Sequence, residues 1–320
     1  MNLTVSVILP TFNGEKYIRQ AIDSALAQSL PPYEIIVVDD GSTDGTENIV
    51  RGYGSKIRYI YQENKGVSGA YNAGIAVASG NYVAFLEHDD VWAPEKNACQ
   101  VQCFENDGQL GMVFSPVLLL EEGKPSKHNV VNLDDGGGDV TFAAFFARNR
   151  VLNCSTVMIR RSVLEDVGCF LEELPLSFDY DLWLRIAAKY RVVCLSEPLA
   201  TYRIHSNNLS KDANDLVASV NSLKVILSWT DDPFARAQVG RNMEKRRVAE
   251  LCCQSAWYCA KLERKEEELR YLWMAVKAQP LQFGNWRDYF WRSLDRRTRN
   301  KLVWYARKLI GQSKKLSTRK

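Results

Sequence analysis

Glu87-His88-Asp89-Asp90 follows directly on the apolar run Tyr82-Val83-Ala84-Phe85-Leu86. Carboxylates set this close repel one another unless a cation lies between them. Oxygen donors of this kind suit Mg2+ or Mn2+, held jointly with the phosphates of a substrate. The plainer alternative is a solvated loop in which Asp89 or Asp90 caps a turn starting near Pro94. Two further apolar runs end in polar clusters. Val5 to Leu9 runs into Pro10-Thr11-Phe12-Asn13, and Tyr33 to Val38 runs into Asp39-Asp40-Gly41-Ser42. The latter has the composition of a tight turn, yet a carboxylate there can also accept a base N–H or a ribose hydroxyl. ENKGVSGAYNAG, Glu63 to Gly74, brings three glycines to a helix start. That spacing serves close helix–sheet packing or backbone approach to a diphosphate. Neither GxGxxG nor GxxxxGK[ST] occurs, so the usual dinucleotide and P-loop chemistries are not expected.

The elements that must position these clusters alternate. Strands are expected at 5–9, 33–38, 57–61 and 82–86, with helices at 16–28, 43–51 and 67–78. Ser42 or Thr43 is the expected N-cap of the second helix. Such alternation predicts an α/β domain with a mostly parallel sheet. Ligands of open α/β sheets bind beyond the carboxyl ends of the strands, so all three clusters fall on one rim. After Asp90 the pattern loosens: a helix over 97–107, a strand over 111–120 and a Gly-rich loop over 121–139. A strand over 152–160, a helical turn over 162–167, an amphipathic helix over 179–190 and a strand over 192–195 follow. From Leu216 the pattern is helical, and residues 244–279 read as a helical hairpin.

Charge divides the 320-residue chain. Residues 241–320 hold 21 Lys+Arg against 8 Asp+Glu, whereas the first 240 hold 20 against 30. The eight cysteines form no CxxC pair, which argues against a zinc ribbon or a thioredoxin-type site and for buried, reduced thiols. The N-terminus begins at once as a strand rather than as a signal peptide, and no apolar run approaches the roughly 20 residues of a spanning helix. The expectation is a cytoplasmic protein whose membrane contact, if any, is peripheral.

VSVILPTFNGEKYIRQAIDSALAQS, EIIVVDDGSTDGT, NKGVSGAYNAGIAVASGNYVAFLEHDD and FDYDLWLRIA occur in this order. As an ordered set over roughly residues 3–210 they resemble the family 2 glycosyltransferases, inverting, metal-dependent enzymes of GT-A fold. The resemblance implies a Rossmann-like mixed sheet with helices on both faces, followed here by a C-terminal α-helical extension. Residues 1–215 would form the nucleotide-sugar-binding catalytic domain and 216–320 the basic helical region. Pro10, Thr11, Phe12 and Asn13 would flank the base and ribose, and Asp40 would accept from the base, most often uracil. Asn64, Lys65 and Gly69 would line the nucleotide pocket. Glu87-His88-Asp89 would be the DxD-type motif, with Asp89 the main contact to metal and ribose, and His205 near diphosphate and metal. Asp179 would be the general base and Asp181 its alternate. The implied cofactor is Mn2+ or Mg2+. The implied partners are a nucleotide-sugar donor, UDP- or dTDP-linked, and a glycan or lipid-linked acceptor in cell-surface polysaccharide synthesis. Glu87 stands where Asp is usual, Phe178 where an acid often precedes the base, and Tyr71 where Arg is frequent. A nucleotidyltransferase and a catalytically silent nucleotide-sugar-binding protein remain the alternatives; the first fits poorly, because PTFNGEKY lacks a basic, Gly-rich loop.

The tail WRDYFWRSLDRRTRNKLVWYARKLIGQSKK interleaves aromatic residues with Arg and Lys, and Leu302, Trp304, Tyr305 and Leu309 can share a helical face. An interfacial helix on anionic lipid and a solvated helix packed on the catalytic domain both satisfy this pattern. No nucleic-acid-binding module is legible, and no nucleic acid partner is expected.

Overall fold

The structure is a computed structural model that describes residues 3–105, 107–122, 129–131, 137–206, 208 and 213–294. Its first half follows the alternation of the sequence. Strands β1 (Val5–Thr11), β2 (Glu34–Asp39), β3 (Arg58–Tyr61) and β4 (Tyr82–Phe85) are joined through helices α1 (Ile18–Leu26), α2 (Thr46–Arg51) and α3 (Gly66–Val77). These strands pair in parallel in the order β3-β2-β1-β4. Side chains alternate along β1. Val5, Val7 and Leu9 enter a core with Ile18, Ala21, Ile22 and Ala25 of α1, while Ile8 enters a second core with Ala70 and Tyr71 of α3. Both faces are covered, which is why these strands read as continuous apolar runs. β1 continues through Pro10, beyond the end the sequence sets for it. Its pairing with β4 stops at Ile8↔Phe85, so Pro10 needs no N–H on that side and pairs only with Val38 of β2.

The second half turns the sheet mixed. It adds β5 (Val91–Trp92), α4 (Lys96–Glu105), β6 (Leu110–Phe114), β7 (Val117–Glu121), β8 (Asn129–Val131), β9 (Gly138–Asp139), α5 (Phe142–Ala147), β10 (Met158–Arg160), α6 (Arg161–Val167), α7 (Phe178–Lys189), β11 (Arg191–Cys194) and β12 (Ala200–Ile204). β10 enters antiparallel between β4 and β6, completing an eight-stranded sheet, β3-β2-β1-β4-β10-β6-β11-β9. A four-stranded sheet, β5-β12-β7-β8, stands beside it.

Four local expectations are corrected. The strand expected over 111–120 is two strands in different sheets, divided at Ser115-Pro116, where proline offers no N–H to a ladder. The strand expected over 152–160 is a 3-10 turn, Cys154–Thr156, followed by a three-residue strand. Neither Ser42 nor Thr43 caps α2; the cap position is Gly45, because the Ser42 and Thr43 groups are engaged by Asn13. Asp89 and Asp90 cap no turn at Pro94, since both are engaged with β12 and its flank. Much of the loop expected over 121–139 lies outside the described residues, although Gly138–Asp139 pairs at the sheet edge.

The remaining helices are α8 (Ala213–Trp229), α9 (Pro233–Lys261), α10 (Lys265–Ala278) and α11 (Phe283–Ser293). α9 is broken at Gly240, whose φ of 72° lies in the left-handed region. The hairpin expected over 244–279 is α9–α10. These helices share a continuous core with the sheet, in which Leu216, Ile226, Ala249 and Cys252 join Trp183, Phe145 and Phe146. The tail face containing Leu302, Trp304, Tyr305 and Leu309 lies outside the described residues.

Candidate active site

The ends of β1 and β2 are stitched together. Asn13 N–H donates to Ser42 Oγ and Thr43 N–H to Asn13 Oδ1, each at 2.8 Å. Gly14 N–H donates to Thr46 Oγ1 at 2.9 Å. Glu15 N–H donates to Asp44 Oδ2 at 3.1 Å, and Gly45 N–H returns to Glu15 Oε2 at 2.7 Å. Asn13 takes φ 51°, a region that Asn visits more readily than most residues. The stitching leaves Phe12 47% exposed on the rim, while the Thr11 hydroxyl is buried without a hydrogen-bond partner among the described residues. At Gly14 a Cβ would stand 2.4 Å from Thr11 Oγ1 and 2.8 Å from His88 Cδ2, so only glycine lets these two side chains meet.

The acidic pair at the end of β2 divides its work. Asp39 is structural: its oxygens accept from Ser42 N–H and from the Tyr59 hydroxyl, each at 2.8 Å. Asp40 Oδ1 accepts from Gln62 Nε2 at 2.7 Å and from Lys65 N–H at 2.8 Å, which ties it to the start of α3. Its second oxygen accepts no hydrogen bond among the described residues. Asn64 closes the turn by accepting from Gly66 N–H. Lys65 is exposed at the mouth of α3, and a Cβ on Gly69 would press on the Lys65 side chain at 2.8 Å.

Beyond β4, Glu87, Asp89 and Asp90 each bring a carboxylate oxygen within 4.8 Å of the others. Asp90 is spent on the protein. It accepts from Asn153 Nδ2, from Ser155 Oγ at 2.6 Å and, through its other oxygen, from Arg203 N–H at 3.1 Å. Burial, then the neighbouring Asp89 charge, pushes Asp90 up to about 8. Burial, then Asp90, Asp89 and Asp179, pushes Glu87 well above the carboxylate range. Burial lowers the pKa of His88, which favours its neutral form. Asp89 Oδ2 meets His205 Nε2 at 2.8 Å, and the His205 ring packs 4.9 Å from Tyr17. Arg203, two residues earlier on the same strand side, donates to the Asp89 carbonyl at 3.0 Å. The oxygens that remain for a cation are those of Glu87 and Asp89 Oδ1. They form a hard oxygen set that fits Mg2+ or Mn2+, whose charge would offset the burial and the neighbouring acids that raise Glu87.

Asp179 stands in the first turn of α7, near enough that its charge raises the pKa of Glu87. Asn149 Nδ2 donates to it at 3.1 Å. Its own pKa is raised, with burial outweighing the hydrogen bonds that favour its ionised form. The approach to α7 is clamped by the helical region. Ser177, held at φ 61°, donates to the Ala218 carbonyl at 3.0 Å, and Asn221 Nδ2 donates to the Leu176 carbonyl at 2.9 Å. Asp181 is placed differently: it pairs with Arg185 at 2.7 Å, and Arg185 donates to the carbonyls of Val167, Gly168 and Cys169. That carboxylate locks α7 to the turn after α6.

The structure thus gathers the three strand-end clusters, Asp179 and His205 around one rim. Sequence reasoning missed Gly14, Asn149, Asn153, Ser155 and Arg203. Arg203 was open to discovery from its strand spacing to His205. Asn149, Asn153 and Ser155 sit in irregular chain with no periodic signal.

The sequence profile of Glycosyl transferase family 2 matches residues 6–168. The chain belongs to this family. A putative teichuronic acid biosynthesis glycosyltransferase of Bacillus subtilis, TuaG, is 32% identical over 219 residues, covering 65% of this chain and 82% of TuaG. An uncharacterized glycosyltransferase of Rickettsia prowazekii is 35% identical over 211 residues, covering 65% of this chain. The chain matches 66% of that Rickettsia protein's length and 35% of a second one from Rickettsia felis. Among solved structures, S. aureus TarS 1-349 in complex with UDP-GlcNAc superposes with TM-score 0.67 at 21% identity, covering 86% of this chain and 81% of TarS. The mannosyltransferase PcManGT of Pyrobaculum calidifontis, in complex with GDP-Man and Mn2+, superposes with TM-score 0.56 at 19% identity, covering 86% and 75%. At such identities the likeness is one of fold, and that fold is GT-A, with a C-terminal helical extension here.

Proposed function

We propose that this family 2 chain is an inverting glycosyltransferase. It moves a sugar from a nucleotide sugar, UDP- or dTDP-linked, to a hydroxyl of a glycan or lipid-linked acceptor in cell-surface polysaccharide synthesis. The observation that carries the reading is the gathering of the Glu87, Asp89 and Asp90 carboxylates within 4.8 Å of one another beyond β4, with Asp179 near enough for its charge to act on Glu87. One group can take a proton while the others hold the leaving group's counter-ion. TarS, of like fold, is seen with UDP-GlcNAc, which agrees with a UDP donor; PcManGT is seen with GDP-Man.

In this reading the base and ribose lie along Pro10, Thr11, Phe12 and Asn13, against the open oxygen of Asp40, with Asn64, Lys65 and Gly69 lining the diphosphate side. His88 closes the pocket beside Gly14. A bound Mg2+ or Mn2+ supplies the positive charge that neutralises the departing diphosphate. Glu87 and Asp89 would hold it, and His205 fixes the Asp89 carboxylate. Asp179 takes the acceptor hydroxyl proton, and its raised pKa makes it a stronger base than an exposed aspartate. The acceptor oxygen bonds the anomeric carbon as the bond to the diphosphate oxygen breaks on the opposite face, so the configuration inverts.

We read residues 1–215 as the catalytic unit and 216–320 as a basic helical region that steadies the base and faces an anionic membrane surface. No helix among the described residues is long and apolar enough to cross a membrane. Turnover by Asp179→Asn tests the core of the reading. It is expected to keep donor binding and to lose sugar transfer; undiminished transfer would remove Asp179 from the role.

A further inference from the structure

The helical region carries large apolar side chains that its core leaves uncovered. Trp273 of α10 is 39% exposed, and Trp286 and Phe290 of α11 are 41% and 60% exposed. Trp273 packs against Trp286 and Tyr289, with ring centroids 5.9 and 5.4 Å apart. Trp286, Tyr289 and Phe290 lie three and four residues apart and so share one face of α11. Trp286 Nε1 donates to the Pro280 carbonyl at 2.8 Å, which folds the intervening turn against the same rings. In that turn Leu281 is 99% exposed. The result is one ridge, Trp273–Leu281–Trp286–Phe290, exposed along its outer edge. Contiguous exposed apolar surface of this kind marks an interaction site.

We propose that this ridge docks the protein onto an anionic lipid surface. The placement of cations decides for lipid over protein. Lys277 lies over the Trp273 ring at 5.5 Å, and on α9 Lys261 lies over Trp257, itself 48% exposed, at 3.8 Å. Protein interfaces enrich Trp but deplete Lys. An indole at the headgroup level beside an ammonium that reaches phosphate is the pairing that suits a bilayer surface. The whole-chain charge agrees. The last 80 residues hold 21 Lys+Arg against 8 Asp+Glu and the rest hold 20 against 30. Among the described residues, 241–294 hold 11 Lys+Arg against 7 Asp+Glu, so an anionic surface attracts these helices and repels the acidic sheet. The inference names the surface residues behind the membrane reading above and does not depend on the transfer chemistry.

The test is co-sedimentation of the full chain with phosphatidylcholine vesicles, with and without phosphatidylglycerol. Binding is expected only with the anionic lipid and is expected to weaken as salt is raised. Leu281→Glu and Phe290→Glu alter the two most exposed side chains of the ridge, so folding is not at risk. Each is expected to lower vesicle affinity about tenfold or more, with nucleotide binding unchanged. No binding to anionic vesicles overturns the proposal. Equal binding by wild type and both variants overturns it too, assigning attachment to charge in residues 295–320. A ridge that instead joins two copies, seen as a dimer that Phe290→Glu splits, also overturns it. Loss of nucleotide binding with vesicle binding intact counts against the transferase reading and leaves this one standing.

Discussion

His205 Nε2 lies 2.8 Å from Asp89 Oδ2, although 116 residues separate them. Asp89 follows the central parallel strand β4, and His205 follows β12 of the smaller sheet. Arg203 joins the two, donating its backbone N–H to Asp90 and its guanidinium to the Asp89 carbonyl. The smaller sheet thus serves to bring an imidazole to the acid cluster. His205→Ala is expected to weaken Mn2+ affinity about 10–100-fold, the usual cost of losing a group that orients a metal-binding carboxylate. Asp89→Asn is expected to abolish metal-dependent nucleotide binding. Calorimetry with nucleotide and Mn2+ reads both, and an unchanged Mn2+ affinity in His205→Ala contradicts the assignment.

Asp179 and Asp181 lie on one helix but differ in their surroundings. Asp179→Asn is expected to lower kcat by about 10^2–10^4-fold with little change in melting temperature. Asp181→Asn breaks a largely buried pair with Arg185 and is expected to cost about 3 kcal/mol of stability. Thermal denaturation and donor binding measured side by side separate the two. A stable, inactive Asp181→Asn with a fully active Asp179→Asn reverses the roles.

The acid cluster also sets a pH dependence. Asp90 is raised from 3.8 to about 8 by burial and then by Asp89, and burial also raises Glu87 and Asp179. A carboxyl raised in the folded state binds more protons there than when unfolded, so stability falls as pH rises through that interval. The metal-free protein is expected to melt at a lower temperature near pH 8 than near pH 6, and Mn2+ is expected to narrow the gap. A melting temperature that rises steadily over this range without metal contradicts the electrostatic picture.

Gly14→Ala places a methyl against Thr11 Oγ1 and His88. Overpacking of this kind costs about 1–3 kcal/mol, and here it displaces groups at the proposed nucleotide site. The variant is expected to bind nucleotide more weakly than its loss of stability alone explains. Wild-type affinity in the folded variant removes Gly14 and His88 from the pocket.

The first half of the fold was legible because β1, β2 and β4 are buried on both faces and end abruptly in polar residues. Boundaries moved by a few residues at most, and Pro10 stayed in its strand because β4 had already stopped beside it. The second half was legible in its long helices, in the short α6 and in β11, but not in its other strands. β5, β9 and β10 are two or three residues long and carry no period of their own, and the expected strand over 111–120 hid a change of sheet. The acid cluster was legible as a group, but not its division of labour. That Asp90 is held by Asn153, Ser155 and Arg203 while Asp89 keeps an open oxygen follows from partners far away in sequence.

The most direct test of the central claim is calorimetric titration of the purified chain with UDP, dTDP, GDP and CDP, each with and without Mn2+. The account predicts tight binding of UDP or dTDP that depends on Mn2+ and is lost in Asp89→Asn. Absence of nucleotide binding under both conditions, or binding indifferent to Mn2+ and to Asp89, would contradict it.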